Sequence, residues 1–498
     1  MKKTQIVAII SLLSMGMSLI ACYKPAPNPE PWELRIDSPL KVTEEFPQPT
    51  AFLPATHPVG QPITSPTPDS GHIIPTLRSE PASYTVQYND SLSAIARSYG
   101  VDLNAVMQAN QISNANYLEV GQVLIIPTVD PNLKPAVFKI IPDSELVYGP
   151  SSVGFDINSF LNKYGGYLST LENSGEVVMQ VAEDYSVGPR ILLTLLEYQT
   201  GWVTSVNKEL DPATPAPTDA WKTNLFTILS QTANSLNQGY YLWRQNQLGY
   251  FVLSDGSYIP TGATINAGTA GVQYWSSDRY GKTQWQNAVS EKGIFTAYKN
   301  FFGDPFDYSY DPLIPENLTQ PEMILPFQTG IAWSFTGGPH PAWGDGAAWS
   351  ALDFAPPGSP MGCAVTGDWV TAIADGLIVR TEFGAVILDL DGDGNEQTGW
   401  VVLYMHMSSW QRVEAGTFVK AGDLIGHASC EGGISTGSHL HLARRYNGEW
   451  IAADGDYPFV MDGYQVESSG IAYNGFLVRN GAFIEAWDRY RPESLVGR

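Results

Sequence analysis

Five of the seven histidines in the chain lie between His340 and His441, which makes this the region where metal or proton-transfer chemistry is expected. His439 and His441 are two residues apart, and alternate residues of a β-strand point to the same face, so both imidazoles could reach one site. A catalytic zinc ion takes three protein ligands and leaves one position open. His340 and Asp353 would complete a His/Asp/His ligand set with His441. His406 ends an apolar β run and could assist an attacking water or an oxyanion.

Three short motifs around these residues resemble the lysostaphin-type (LytM-like) zinc metallopeptidases, which cut peptide bonds in bacterial peptidoglycan. They are Ser-Thr-Gly-Ser-His-Leu-His at 435–441, Leu-Tyr-Met-His at 403–406 and Ala-Leu-Asp-Phe-Ala-Pro at 351–356. In the commoner branch a ligand histidine lies four residues before the aspartate, where this chain has Trp349. The longer spacing from His340, the preceding Gly-Gly-Pro and Ser-Cys-Glu-Gly-Gly at 429–433 are similar to the β-lytic (LasA-like) branch.

The resemblance implies a zinc metallopeptidase domain over 321–498. Carried over residue by residue, it makes His340, Asp353 and His441 the zinc ligands, and His406 and His439 the catalytic histidines. The alternative is a degenerate, metal-free relative that only binds the cell wall, and Trp349 is the residue that keeps this alternative open.

Length and charge limit the remaining possibilities. A chain of 498 residues exceeds a single hydrophobic core, and we expect a multidomain α+β protein. The formal net charge of −23 argues against nucleic acid as a partner and against electrostatic docking on anionic lipid.

The first 22 residues have the pattern of an export signal: a basic start, an apolar run and a small residue before Cys22. Leu-Ile-Ala-Cys at 19–22 resembles a bacterial lipobox, which implies lipidation of Cys22, membrane contact through a lipid anchor only, and a location outside the cytoplasm facing the cell wall. Ordinary secretion is the alternative. Residues 23–80 are rich in Pro, Ser and Thr and predict a semi-rigid linker.

Two cysteines remain once Cys22 is assigned to the anchor. Because an even pair outside the cytoplasm is expected to be oxidised, Cys363 and Cys430 predict a disulfide; two buried free thiols are the alternative.

Residues 81–130 predict a small β-α-α-β unit with an apolar stripe on the first helix and a cap at Asp90. The order of elements and the turn residues resemble a LysM domain, a family that binds glycans containing N-acetylglucosamine, such as peptidoglycan. The resemblance implies ligand contacts in two loops, at Asp90, Ser91, Leu92 and Asn114, whereas capping and turn formation are the structural alternative for these side chains.

Residues 150–310 are expected to be mostly helical, with long helices over 155–171, 221–247 and 271–302. The stretch 192–202 is similar to the lysozyme-like lytic transglycosylases, but Gln199 stands where that family has its catalytic acid, and an amide cannot protonate a glycosidic oxygen. We therefore expect a lysozyme-like domain that binds glycan or acts as a spacer, with glycan cleavage as the alternative.

The C-terminal region predicts an antiparallel sheet, with apolar runs separated by Gly and Asp. One hairpin carries Asp389, Asp391 and Asp393 in the pattern of the first half of an EF-hand loop, although Trp400 replaces the bidentate glutamate. This predicts a calcium site, with a solvated acidic turn as the alternative. Taken together, the sequence favours a zinc-dependent peptidoglycan endopeptidase tethered to the wall.

Overall fold

The computed structural model describes residues 80–498, except for 88–89, 100, 102, 116, 128–133, 207–220 and 358–361. The predicted signal segment with Cys22 and the predicted linker, apart from residue 80, lie outside the described residues. Within the described ranges, no helix combines the length and the apolar character needed to cross a membrane.

The N-terminal unit has the predicted β-α-α-β order. Its elements are β1 Ala82–Thr85, α1 Leu92–Tyr99, α2 Leu103–Ala109 and β2 Val123–Ile126. The two strands pair antiparallel, and the apolar faces of both helices pack against β2. The predicted cap was wrong: the carboxylate of Asp90 accepts from Gln87 N and Tyr84 Oη, while Ser91 Oγ accepts from Ala94 N at the start of α1.

The described part of the next region is helical, with one small two-stranded sheet. Its elements are α3 Asp143–Leu146, α4 Ile157–Tyr164, α5 Ser174–Tyr185, α6 Pro189–Thr200, α7 Trp221–Arg244, β3 Tyr250–Val252, β4 Tyr258–Pro260, α8 Ala267–Ser277, α9 Lys282–Ala288 and α10 Thr296–Phe302. Two of the long predicted helices are interrupted. The 155–171 stretch ends its helix at Gly165, whose φ of +65° closes the C-terminus. The 271–302 stretch is broken between α8 and α9 and again at Gly293, which has non-helical φ and ψ.

The C-terminal region is an antiparallel β structure, as predicted. Its strands are β5 Trp333–His340, β6 Ala351–Ala355, β7 Trp369–Thr371, β8 Gly376–Arg380, β9 Val386–Asp389, β10 Trp400–Met405, β11 Phe418–Val419, β12 Leu424–His427, β13 Leu440–Tyr446, β14 Glu449–Trp450, β15 Val460–Met461, β16 Tyr464–Ser468, β17 Gly475–Arg479, β18 Ala482–Glu485 and β19 Leu495–Val496. The main sheet has the order β11-β8-β9-β10-β13-β6-β5-β19, with β14 beside β13. Strands β15 to β18 form a separate four-stranded sheet.

Both faces of the main sheet are buried, which is uncommon for an antiparallel sheet. On β10, Val402 and Tyr404 point into a core made within the C-terminal region. Val401, Leu403 and Met405 alternate with them and pack in the same apolar cluster as the helical region. The helical region therefore covers one face of the sheet and shares a core with it.

Ion pairs cross the same junction. Arg380 on β8 pairs with Glu396 at 2.9 Å and reaches Glu183 at 3.5 Å and Asp184 at 3.8 Å on α5. Arg445 on β13 also pairs with Glu396, at 2.6 Å. The cluster holds three carboxylates and two guanidinium groups. Burial is the main cause that raises the pKa of both Glu183 and Asp184 to about 7, and Arg380 opposes the shift only partly.

These shifts predict a pH-dependent stability. A carboxyl group whose pKa is raised by folding lowers the stability of the folded protein as the pH rises. For both groups the loss begins at the unfolded pKa, near 4, and is complete above the folded pKa, about 7. Replacing both groups with neutral amides, Glu183→Gln with Asp184→Asn, should therefore leave the melting temperature unchanged near pH 4 and raise it by a few degrees at pH 8. Differential scanning calorimetry across pH 4–8 measures this. The exposed Glu172→Gln is the control, and a double variant that parallels the wild type at every pH would contradict the expectation.

Candidate active site

Four neighbouring strands in the interior of the main sheet, β10, β13, β6 and β5, bring the predicted site residues together. Asp353 lies at the centre of β6 and pairs in register with His441 on β13, while Leu352 and Phe354 point to the opposite face. His340 is the last residue of β5 and pairs with Ala351. His406 follows directly after β10. The period-two alternation of the strands thus separates the polar site from the apolar core behind it.

Three atoms converge in the buried centre. His340 Nε2 lies 3.1 Å from His441 Nδ1 and 3.4 Å from Asp353 Oδ1, and His441 Nδ1 lies 3.2 Å from Asp353 Oδ1. Ligands of a tetrahedral zinc ion, at about 2.0–2.2 Å from the metal, lie about 3.3–3.5 Å from one another. The observed 3.4 Å lies within this range, and the observed 3.1 and 3.2 Å lie within about 0.2 Å of it.

The hydrogen bonds of the two rings support this interpretation. His340 Nδ1 donates to the Gly338 carbonyl at 2.8 Å, and His441 Nε2 donates to the Ala342 carbonyl at 2.9 Å, because a carbonyl can only accept. When both rings are neutral, these bonds leave a lone pair on His340 Nε2 and on His441 Nδ1, directed at each other and at the carboxylate. Asp353 Oδ1 is buried and has no hydrogen-bond partner among the described residues. Three electron-rich atoms arranged in this way fit a bound cation.

The pKa shifts follow from the same geometry. Burial favours the neutral ring of His340, but the Asp353 carboxylate outweighs burial and raises the pKa of His340. Burial lowers the pKa of His441. Burial opposes ionisation of Asp353 as well, yet the surrounding imidazoles hold its pKa well below the usual value. The centre therefore stabilises a carboxylate beside a positive charge.

His406 and His439 lie beside this centre. Their ring centroids are 4.6 Å apart, and His439 Nε2 lies 3.6 Å from Asp353 Oδ1. His406 Nδ1 donates to the Glu431 carbonyl at 3.0 Å and His439 Nδ1 donates to the Gly437 carbonyl at 2.8 Å, so each neutral ring keeps its lone pair on Nε2. Burial, followed by the charges of His439 and His441, lowers the pKa of His406 to about 4, and its ring is neutral at neutral pH. His406 therefore has the form of a proton acceptor.

The Gly-Gly-Pro segment of β5 leaves room for the carboxylate. A Cβ on Gly337 would lie 2.5 Å from Asp353 Oδ2, and a Cβ on Gly338 would lie 2.5 Å from Gly475 N. Any larger residue at 337 would displace the proposed ligand. The loop before β17 also reaches the site, because the ring of Tyr473 stacks on His340 with centroids 4.2 Å apart. Tyr473 lies 133 residues from its partner, and nothing in the sequence indicated this contact.

The loop between β5 and β6 connects the site to the helical region. The Ala342 carbonyl that orients His441 belongs to this loop, and Ala342 N donates to the Ala348 carbonyl. Gly346 N donates to Asn234 Oδ1 on α7 at 2.9 Å. A Cβ on Gly346 would lie 2.1 Å from the Asn234 carbonyl oxygen, so only glycine allows this approach. Trp349, the residue that raised doubt about the ligand set, lies in the same loop, and its carbonyl accepts from Ala453 N.

The predicted disulfide is present. Cys363 and Cys430 are bonded with their Cα atoms 5.4 Å apart. The bridge joins the segment after β6 to the segment before His439. Ser438 strengthens the same connection, since its backbone N donates to the Gly362 carbonyl at 3.0 Å and its Oγ to the Ala364 carbonyl at 2.6 Å.

Comparison with known proteins agrees with these observations. Residues 359–453 match the sequence profile of peptidase family M23, residues 84–127 match the LysM domain, and residues 139–316 match the LasA N-terminal domain. Protease LasA of Pseudomonas aeruginosa is 26% identical over 346 residues, which cover 64% of this chain and 77% of that protein. The beta-lytic metalloendopeptidase of Achromobacter lyticus is 30% identical over 172 residues, which cover 32% of this chain and 43% of that protein.

Residues 359–453 form a peptidase family M23 domain, and the relatives of the chain support a metalloendopeptidase. The family match begins at residue 359, so it includes His406, His439 and His441 but not His340 or Asp353. The assignment of these two residues as ligands therefore rests on the geometry of the site. A solved structure of the M23 metalloprotease pseudoalterin is 27% identical, covers 34% of this chain and 97% of its own, and superposes with a TM-score of 0.28.

The LysM domain places its four predicted contact residues differently. Asp90 is partly buried, and Ser91 and Asn114 are exposed beside the two loops. Leu92 is fully buried in the LysM core, so its side chain is not available to a glycan, and that prediction is corrected. The apolar residue that starts α1 belongs to the helix stripe and not to the loop before it.

In the helical region, Gln199 and Glu197 lie in the last turn of α6. The carboxylate of Glu197 accepts from the backbone N–H groups of Val203 and Thr204 and from Thr204 Oγ1. Glu197 therefore holds the loop after the helix. The match to the LasA N-terminal domain covers this region, and its lysozyme-like character stays a prediction.

The contact between α7 and the β5–β6 loop generates a prediction for the M23 site. Gly346→Ala should push the loop away from Asn234, misplace the Ala342 carbonyl and weaken zinc binding by about 10–100-fold, the usual cost of losing an outer contact of a metal ligand. Asn234→Ala, which removes one hydrogen bond without a clash, should have a smaller effect in the same direction. Competition with a fluorescent zinc chelator measures both. Gly367→Ala, where a Cβ meets nothing within 4 Å, is the control. Wild-type affinity in Gly346→Ala would show that the loop is held without the helical region.

Proposed function

We propose that this protein is a zinc-dependent endopeptidase that cuts peptide bonds in peptidoglycan and is held on its substrate by the LysM domain. The observation that carries the proposal is the convergence of His340 Nε2, Asp353 Oδ1 and His441 Nδ1 within 3.4 Å of one another. This donor set is typical of catalytic zinc, which keeps a further position open.

Zinc bound to these three residues supplies a Lewis acid that polarises a carbonyl and favours the ionisation of water. The remaining steps fall to the protein. His406, neutral and with its lone pair on Nε2, accepts the proton of the attacking water. The same proton then passes from His406 to the leaving amine, and His439, whose ring centroid lies 4.6 Å from that of His406, is the neighbouring group for the developing oxyanion. Asp353 balances the charge of the imidazoles around it.

The domain arrangement supports the choice of polymer. A LysM domain and an M23 domain on one chain both act on cell-wall material, and tethering raises the local concentration of cleavable bonds. We propose the boundaries 81–130 for the LysM domain, 150–310 for the helical domain and 321–498 for the peptidase domain. We also propose a secreted, wall-associated location with an anchor at Cys22.

The test uses the full-length protein. Wild type should contain about one zinc per chain and release new α-amines from purified peptidoglycan without new reducing ends. Asp353→Asn should lose most of the zinc and at least about 100-fold in rate, because a direct ligand is worth more than its supporting contacts. Metal analysis by mass spectrometry and mass spectrometry of the released fragments measure these results.

Asp488→Asn, on an exposed carboxylate, is the matched control and should behave as wild type. New reducing ends without new amines would identify a glycan-cleaving enzyme. Wild-type protein that holds no zinc and releases no amines would identify a wall-binding protein with an inactive peptidase domain.

The acidic hairpin is a separate proposal. Asp389, Asp391 and Asp393 offer carboxylate oxygens within 4.8 Å of one another. Burial of Asp389, followed by its contact with Asp391, raises the pKa of Asp389 to about 8, so the group is largely protonated at pH 7. If calcium binds here, it should release about one proton per ion at pH 7 and raise the melting temperature. Calorimetric titration in two buffers of different ionisation enthalpy measures the proton release. An unchanged melting temperature in millimolar calcium would exclude the site.

A further inference from the structure

A short segment next to the disulfide holds His406 from one side. Ser429 N and Ser429 Oγ both donate to the His406 carbonyl, at 2.6 and 2.9 Å. Two residues further on, the Glu431 carbonyl accepts from His406 Nδ1 at 3.0 Å. Residues 429–431 therefore fix both the backbone and the ring of His406.

This support matters because His406 has an unfavourable backbone conformation. Its φ is +63°, in the left-handed region that side chains with a Cβ rarely adopt. Such a conformation persists at a functional site only when the surrounding structure over-determines it. In this conformation the ring centroid of His406 lies 4.6 Å from that of His439 and 6.1 Å from that of His441.

The side chain of Glu431 binds the segment that follows His406. Both carboxylate oxygens accept from Ser409 N at 2.9 Å, and Oε1 also lies 3.3 Å from Ser408 Oγ and 3.2 Å from Ser409 Oγ. These serines follow His406 by two and three residues. Glu431 thus holds the ring of His406 through its backbone and the chain after His406 through its carboxylate.

The segment beyond Glu431 cannot replace this anchor. Gly432 and Gly433 follow, and then Ile434, whose side chain is fully exposed at 101%. On the other side, Cys430 is tied to Cys363. The carbonyl that receives His406 Nδ1–H is therefore fixed by the disulfide on one side and by the Glu431 carboxylate on the other.

We propose that Glu431 is a positioning residue for His406: its carboxylate holds the 408–409 segment, its carbonyl holds the His406 ring, and together they present Nε2 to the reacting water. The proposal rests on the proposed function, because it assigns His406 a role in peptide hydrolysis. It predicts an effect on turnover and not on substrate or metal binding.

The first experiment compares Glu431→Ala with Glu431→Gln in the full-length protein. Glu431→Ala should lower kcat by about 10–100-fold, because displacing a catalytic group by about 1 Å can cost about 10²-fold in rate, while KM and zinc content stay at wild-type values. Glu431→Gln, whose amide oxygen still accepts from Ser409 N, should recover most of the lost rate. Glu414→Ala, on an exposed turn of the same domain, is the control. Loss of zinc, or a rise in KM with kcat unchanged, would overturn the proposal.

A double-mutant cycle tests whether Glu431 acts through His406. In a His406→Ala background, adding Glu431→Ala should cost no more than about twofold, because the group being positioned is already gone. A further loss of the full 10–100-fold would show that Glu431 acts independently of His406 and would overturn the proposal. Melting temperatures of all variants identify any protein that has not folded.

A spectroscopic measurement separates this proposal from the proposed function. Zinc-loaded protein labelled with ¹⁵N-histidine should show a protected imidazole N–H signal from His406 Nδ1, assigned by its absence in His406→Ala. The signal should be lost or broadened in Glu431→Ala and kept in Glu431→Gln and Glu414→Ala. If wild type does not cleave peptidoglycan but shows this pattern, the proposed function fails and the positioning by Glu431 stands. An unchanged signal in Glu431→Ala overturns the positioning itself.

Discussion

The site depends on one electrostatic constraint, a buried carboxylate that faces the lone pairs of two imidazoles. Asp353 Oδ1 lies 3.2 Å from His441 Nδ1 and 3.4 Å from His340 Nε2, and the other nitrogen of each ring is engaged by a backbone carbonyl. Without a cation or an extra proton, this arrangement concentrates electron-rich atoms in a place that water cannot screen. The surrounding structure holds these groups in position for a metal.

The antiparallel sheet provides the first part of that support. The pairing of His441 with Asp353 puts the two groups on one face, and the flanking Leu440, Leu442 and Phe354 anchor the opposite face in the apolar core. A slip of one residue between β6 and β13 would turn the charged groups into the apolar core and the leucines toward the polar site, so packing of the core enforces the register of the site. The catalytic geometry and the stability of the sheet are therefore set by the same side-chain alternation.

The sequence was most informative where chemistry requires particular residue types at short spacing. The five site residues, the antiparallel strands, the βααβ unit and the disulfide were all accessible from motifs and patterns. Long-range contacts were not accessible: Asn234 meets Gly346 across 112 residues, and His406 meets Glu431 across 25. Leu92 and Asp90 were misassigned for a local reason. Leu92 starts a helix but belongs to its apolar stripe, and Asp90 lies beside the helix but binds Tyr84 and Gln87 before it. Only the packing of the unit decides between these arrangements and the predicted ones.

The two sides of the site are held by different parts of the chain. On the ligand side, the loop that orients His441 rests on α7 of the helical region through Asn234. On the side of the proposed proton acceptor, His406 rests on Ser429 and Glu431, beside the disulfide. Because the supports are separate, disturbing the first should change metal affinity and disturbing the second should change turnover at full metal occupancy.

The helical region is then more than a spacer, since it covers a face of the catalytic sheet and fixes the orientation of a proposed zinc ligand. Separating it from the sheet would expose the Ala342 loop and the apolar stripe of β10 together, so metal binding and the stability of the sheet are expected to change together.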